Sequence, residues 1–377
     1  MGDKEIKKLK ESREDLRILL VRDDRVGDLV LATPALRALR ETYPKSYIAM
    51  LVSRYAKDVV EGNPCLNDLL VHDRDGFDGF FELLREVKEK KFDVVIVLFP
   101  SLKTALLGFL GRIPLRISTG FKFYQFLFNR LIYLRRSQSL KHEIEYNLDL
   151  VRLIGADAKD KKPSVVINKE DEEFVDRFLK DAGIKSDGLL IGLNPGSGGS
   201  ARKWSEEKFA ELAKILNKEL GARILILWGP KDKDLAKKVS DLSGGVAGLA
   251  FETNLRQLAA LMKRCALIVT NNTGPMHIAA AAGASMVEIF DPKWACSPLR
   301  WGHRGDGNII LRPDIDCRKK CDPEECEHSD CMDKITVEMV FEASKKILEN
   351  KKGHPPLNPI PSTPLENASL TGSREGN

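Results

Sequence analysis

The sequence predicts an α/β protein made of two doubly wound halves, on three observations. Short apolar runs alternate with helical stretches through residues 17–99. The pattern stops at a charged stretch, 159–162, and restarts at 189. Turns rich in Gly, Asp or Asn follow the strands in both halves. Strands alternating with helices imply a parallel sheet covered on both faces.

In the first half, residues 17–22 (RILLVR) read as a buried strand and 23–28 (DDRVGD) as a turn. A helix is expected over 29–43, with Thr33 and Pro34 near its first turn, and the next strand over 47–52 (YIAMLV). A helical stretch at 79–91 leads into a strand at 93–99 (DVVIVLF). The KDKK run before Pro163 suggests a linker over 160–187. The second half opens with a strand at 189–193 and a Gly/Ser loop at 194–200 (NPGSGGS). A helix over 205–220 follows, with Ser205 suited to its N-cap. Strands are expected at 223–228 (RILILW), 266–270 (ALIVT) and 286–290 (MVEIF), with a helix over 275–283 and a last helix over 332–350. The domains are then 1–165 and 166–350. Residues 351–377 hold five of the 18 prolines and read as a disordered tail.

With 43% hydrophobic and 31% charged residues in 377, the chain can build two ordinary cores. The net charge of +5 is too modest to indicate nucleic acid by itself. Residues 1–15 are polar and lack an apolar h-region, which argues against a secretory signal. No window holds 18 consecutive apolar residues, so no transmembrane helix is expected. The expected location is the cytoplasm, free or on a membrane surface.

Five segments could carry chemistry. Asp28, in Arg25-Val26-Gly27-Asp28, falls at the carboxyl edge of the first sheet, where a carboxylate can take a proton from an attacking hydroxyl; the same residue would also serve as a helix cap. The loop NPGSGGSARK, with Ser197 and Gly198, offers backbone N–H groups to phosphate, and Arg202 and Lys203 add positive charge. TNNTGPMH, with Asn272, Thr273, Gly274 and His277, is an anion site at a helix N-terminus or an ordinary strand–helix junction. Residues 101–142 hold eight Lys or Arg, among them Lys122, Arg130, Arg135 and Arg136, and no acidic residue. Seven aromatics are interleaved with them. That mixture suits an anionic membrane surface or phosphorylated lipid, and a buried helix with a basic edge is the bland alternative. Cys317, Cys321, Cys326 and Cys331, with His328 among them, could hold a structural zinc or an iron–sulfur cluster; disulfides and thiols remain open.

In this order the motifs resemble glycosyltransferase family 9, the ADP-heptose:lipopolysaccharide heptosyltransferases. The likeness rests on RVGD and TPALRAL, then KHEIEYNLDLVRLIGAD, LNPGSGGSARKW, LWGPKD and NNTGPMHIAAAAG, and a cysteine-rich end before a helix, over about residues 17–348. The resemblance implies a GT-B fold, two Rossmann-like domains facing across a cleft, and inverting transfer with no metal or other cofactor required for catalysis. It implies Asp28 as general base, Lys203 on the donor phosphates, and Thr273 and Gly274 as backbone contacts to the diphosphate. Asp232 lies near the family's acidic ribose contact. Asn272 stands where the family often has aspartate, which bears on the donor's sugar or base. The implied partners are ADP-heptose and a lipid A–core acceptor, with no nucleic acid. The implied location is the inner face of the inner membrane, where Lys122, Arg130, Arg135 and Arg136 would meet the acceptor's phosphates and the anionic surface. Four other readings remain: another nucleotide sugar serving a different surface polysaccharide, a non-catalytic sugar-nucleotide or lipid binder on the same scaffold, a nucleic-acid binder suggested by the basic stretch alone, and a nucleotide-dependent oxidoreductase. Against the last, no GxGxxG loop follows the first strand.

Overall fold

The computed structural model describes residues 15–72, 78–185, 187–199, 201–303, 305, 307–315, 317, 326 and 328–350. The expected tail at 351–377 and Cys321 lie outside them. The chain divides into two compact units. One holds residues up to Val166 together with Ser297–Gly302; the other holds Ile167–Cys296 and the chain from His303.

The first unit is a six-stranded parallel sheet of β1 (Arg17–Val21), β2 (Tyr47–Ser53), β3 (Asp68–His72), β4 (Val94–Val97), β5 (Leu115–Thr119) and β6 (Arg130–Ile132). The spatial order is β3-β2-β1-β4-β5-β6. Ile18 is in register with Ile48 on one side of β1 and with Val94 on the other. The order reverses between β1 and β4, and open α/β sheets bind ligands outside the carboxyl ends of strands at such a point. Asp28 sits just after β1. The predicted helix over 29–43 is two helices, Val26–Val30 and Thr33–Thr42. Pro34 lies in the first turn of the second, where its missing N–H costs nothing, and inside one continuous helix it would remove a hydrogen bond.

The second unit repeats the plan with β7 (Leu190–Asn194), β8 (Arg223–Ile226), β9 (Ala247–Leu249), β10 (Leu267–Asn271), β11 (Met286–Ile289) and β12 (Asn308–Leu311). Their order is β12-β11-β10-β7-β8-β9, again all parallel. Its reversal lies between β7 and β10, the two strands that carry the Gly/Ser loop and the TNNTGPMH junction. The expected linker is not all linker: Lys169–Asp181 is a helix, started by a capping box between Asn168 and Asp171 and anchored by buried Val175 and Leu179. Ser205 caps Glu206–Leu220 by accepting from the N–H of Lys208. The last helix begins later than expected, at Val337, after a short 3-10 turn at Cys331–Lys334. Each unit has its own apolar core, one around Leu19, Ala49, Val95 and Val97, the other around Ile191, Trp204, Phe209 and Val269. Among the described residues, no helix is long and apolar enough to cross a membrane.

Candidate active site

At the carboxyl end of β1 a buried charge cluster surrounds Asp28. Arg22, the residue after β1, is buried, and its guanidinium spreads over four partners. Nε donates to Asp24 Oδ1 at 2.6 Å, Nη1 to Glu143 Oε1 at 3.2 Å and to Asn147 Oδ1 at 3.1 Å, and Nη2 to Asp28 Oδ1. Glu143 opens the helix Glu143–Arg152 and is fully buried. It also meets Arg136 Nε at 3.4 Å, and accepts from Arg300 Nε at 2.9 Å and Nη2 at 2.8 Å. Asn147 is held in turn by donating to Leu31 O at 3.0 Å. Burial pushes the Asp28 carboxyl up from its ordinary 3.8 to about 6; Arg22 opposes that, and Asp24 and Glu143 reinforce it. Burial would also raise Glu143, but Arg136, Arg22 and Arg300 outweigh it and hold that carboxyl below its ordinary value. Asp28 is therefore the carboxylate of the cluster suited to exchange a proton near neutrality.

In the second unit the two loops at the β7–β10 reversal are tied together. Asn271 Nδ2 donates to Pro195 O at 2.9 Å, and the N–H of Trp204 donates to Asn271 Oδ1 at 3.0 Å. Asn194 Nδ2 reaches Thr270 Oγ1 at 3.0 Å. Ser197 bonds within its own loop, to Ala201 O at 3.1 Å, and the N–H of Arg202 donates to Asp291 Oδ2 at 2.7 Å. A cavity of about 580 Å³ opens here, lined by Ser197, Arg202, Lys203, Asp232, Ser329 and Asp330. Lys203 is paired with Glu206. Burial raises Asp232, and the nearby Lys203 charge pulls it back. A Cβ on Gly196 would stand 2.8 Å from Asp232 Oδ2, so a larger residue there would force that carboxylate to shift. Ser197, Lys203 and Asp232 thus share one cavity, while Gly198 lies in the same loop.

Asn272, Thr273, Gly274 and His277 do not line that cavity; they form the neighbouring junction. Thr273 is the N-cap of Gly274–Ala281, and Pro275 occupies its first turn. The backbone N–H of Asn272 donates to Ile289 O at 2.9 Å. His277 is buried, with Nδ1 at 2.8 Å from Nε2 of His303. Beside this pair, the N–H of His303 donates to both oxygens of Glu288, at 3.2 and 3.1 Å. Burial nonetheless pushes Glu288 from 4.5 to about 8, so it is protonated at neutral pH. A group raised in the folded state contributes stability that is complete below its unfolded value and is lost as pH rises through its folded value. Stability should therefore decline from about pH 4.5 to about 8, and Glu288→Gln should flatten that slope in thermal melts taken across the interval.

The basic stretch divides in two. Phe121, Phe123 and Phe126 are 58%, 80% and 74% exposed, whereas Tyr124 and Phe128 are buried. Lys122 and Arg135 are exposed, and Arg130 is half-buried at the start of β6. Arg136 is a correction: at 8% exposure it does not lie on the surface with Lys122 and Arg135. Its Nη1 donates to Leu98 O at 2.6 Å and its Nη2 to Asn147 Oδ1 at 3.3 Å, inside the cluster around Glu143. Cys317, Cys326, Cys331 and His328 line one small cavity. Among the described residues none of the cysteines is disulfide-bonded, and no three His, Cys, Asp or Glu side chains are grouped to hold a metal ion. Arg22, Glu143, Asn147 and Arg300 went unnoticed in the sequence. The signals were an arginine closing an otherwise apolar strand run and the KHEIEYNLDLVRLIGAD stretch, which holds Glu143 and Asn147.

Two parallel Rossmann-like units, each with its polar loops at the strand-order reversal, have the GT-B architecture. Comparison with known proteins gives the family. The model of glycosyltransferase family 9 (heptosyltransferase) matches residues 80–329. Lipopolysaccharide heptosyltransferase 2 of Salmonella typhimurium is 27% identical over 74% of this chain and 83% of its own. The crystal structure of a family 9 glycosyl transferase from Veillonella parvula superposes with a TM-score of 0.77 at 26% identity, covering 89% of this chain and 98% of that one. The structure of E. coli ADP-heptose lipopolysaccharide heptosyltransferase II gives 0.72 at 22% identity, with 89% and 99% covered. The chain belongs to glycosyltransferase family 9, the heptosyltransferases.

Proposed function

We propose that this enzyme transfers heptose from ADP-heptose to the inner core of lipopolysaccharide, with inversion, and that Asp28 is the general base. The observation that carries the reading is Asp28 itself, a carboxylate just beyond β1 at the strand-order reversal of a heptosyltransferase-family chain, with its proton affinity raised to about 6. As the acceptor hydroxyl attacks the anomeric carbon, its proton passes to Asp28, and the bond to the ADP oxygen breaks with its electron pair leaving on the diphosphate. Lys203, Ser197 and Gly198 in the Gly/Ser loop, and the backbone N–H groups at Thr273 and Gly274, receive the diphosphate charge. Asp232, at the cavity wall, is suited to accept hydrogen bonds from a ribose diol. Asn272 and His277 complete the donor site, Asn272 hydrogen-bonding without charge and His277 held in place by its bond to His303. The names of the relatives support the donor and acceptor. A panel of ADP-heptose and common UDP- and GDP-sugars with heptose-deficient lipopolysaccharide, scored by nucleotide release and acceptor mass gain, tests both. Gain from another donor alone would move the substrate, and donor binding with no gain would favour the non-catalytic reading.

The same reading puts the enzyme on the cytoplasmic face of the inner membrane, against lipid A–core. Its support is the chemistry of the 121–135 surface, where exposed Phe121, Phe123 and Phe126 alternate with Lys122 and Arg135. Phe121 has φ of 74°, a region that bulky side chains avoid at a cost of about 1–3 kcal/mol, and strain of that kind gathers at working surfaces. Its ring stacks edge-on against Tyr133 at 5.1 Å. Replacing Phe121, Phe123 and Phe126 together by serine should weaken sedimentation with phosphatidylglycerol vesicles at least about tenfold while leaving the melting temperature in place. Unchanged vesicle binding would rule this surface out.

A further inference from the structure

Residues Ser297–Gly302 belong to the first unit although the chain on both sides of them belongs to the second. The segment is built to hold one side chain. Ser297 Oγ accepts from the N–H of Leu299 at 3.2 Å, Pro298 starts the short turn, and Arg300 stacks over the Trp301 ring at 4.4 Å. Arg300 then makes two contacts with Glu143 Oε2, at 2.9 and 2.8 Å, and donates from Nη1 to Arg136 O at 3.2 Å. Glu143 Oε1 faces Arg22, and Arg22 Nη2 donates to Asp28 Oδ1. A continuous path of ion pairs therefore runs from Arg300 through Glu143 and Arg22 to Asp28.

We propose that Arg300 is a positioning residue for Asp28, acting through Glu143 and Arg22 to keep Arg22 on the Asp28 carboxylate. This rests on the reading of Asp28 as the base. The groups around Asp28 come from four elements: Arg22 from the end of β1, Asp24 from the turn after it, Glu143 from the helix, and Arg300 from the 297–302 segment. Arg136 faces the same Glu143. The charges of Arg22, Arg136 and Arg300 balance those of Asp24, Asp28 and Glu143. Without Arg300, Glu143 loses one of its three cation partners and the cluster keeps two guanidiniums against three carboxylates, an excess negative charge centred on Glu143. That charge draws Arg22 toward itself and repels a charged Asp28, and both effects favour the protonated carboxyl. The direction agrees with the influence Arg300 exerts now, which lowers Asp28.

The experiment compares the wild type with Arg300→Met and Arg300→Lys in two readouts. The first is a 13C NMR titration of the Asp28 carboxyl, assigned with Asp28→Asn, which needs no turnover. The second is the pH profile of kcat/KM for heptosyl transfer. The proposal expects the Asp28 midpoint to rise by about one pH unit in Arg300→Met and to return most of the way in Arg300→Lys. The acid limb of kcat/KM should move by the same amount, so the loss is near tenfold at pH 5.5 and small at pH 8. A midpoint unmoved in Arg300→Met overturns the proposal, as does a loss of rate that is equal at every pH. A midpoint that moves while the acid limb stays supports the Arg300 path and refutes Asp28 as the base.

Discussion

Replacing Asp28 with alanine should lower kcat/KM for heptosyl transfer by about 10²- to 10⁴-fold, the usual contribution of one general base. Donor binding should change little, because the Ser197–Lys203–Asp232 cavity belongs to the other unit. The pH dependence makes the prediction specific. A base must be deprotonated to act, so kcat/KM should fall about tenfold per unit below about pH 6, where burial has put this carboxyl, rather than near the ordinary 3.8. Initial rates from pH 4.5 to 8 at sub-saturating acceptor would measure the limb. Asp28→Asn keeps the shape and should lose the limb together with the rate. A variant that keeps the rate, or a wild-type limb near pH 4, would count against the assignment.

The second large effect is on stability. Glu143 is buried under Arg22, Arg136 and Arg300, and Glu143→Ala would leave three guanidinium groups without their shared anion. Breaking a buried ion pair from one side costs about 3–5 kcal/mol, a large part of the stability of an ordinary domain. Urea unfolding of wild type and variant would read it. The sign with pH also follows. Glu143 is held below its ordinary 4.5, so its contribution is present above that value and is lost as pH falls through the folded value. The destabilisation caused by Glu143→Ala should therefore shrink in acid. Equal stability at pH 7 would mean that the cluster carries no net stabilisation.

What the sequence revealed and what it concealed divide along physical lines. The central strands were legible because both their faces are buried and they read as unbroken apolar runs, as in β1, β4 and β7. Edge strands β3, β6 and β12 were not, because they are only partly buried and do not read as unbroken apolar runs. The helix Lys169–Asp181 was hidden in a stretch read as linker, where its charged outer face masked the apolar spacing of Phe174, Val175, Phe178 and Leu179. The junctions at 194–199 and 271–277 were visible because few residue types suit such turns, whereas Gly27 and Asp28, read as the end of a turn, lie in the helix Val26–Val30. The partners of Asp28 were beyond reach. Arg22 meets Glu143 across 121 positions, and Arg300 meets it across 157. Arg136 was misread as a surface cation for a related reason: a count of charges in a segment does not say which way each side chain points.

The most direct test of the account is one assay: purified enzyme with ADP-heptose and heptose-deficient lipopolysaccharide, wild type beside Asp28→Ala, followed by the mass of the acceptor. The account predicts a gain of one heptose with the wild type and a gain slower by about 10²-fold or more with the variant. Equal rates for the two proteins, or no gain from ADP-heptose when another nucleotide sugar does give one, would contradict it.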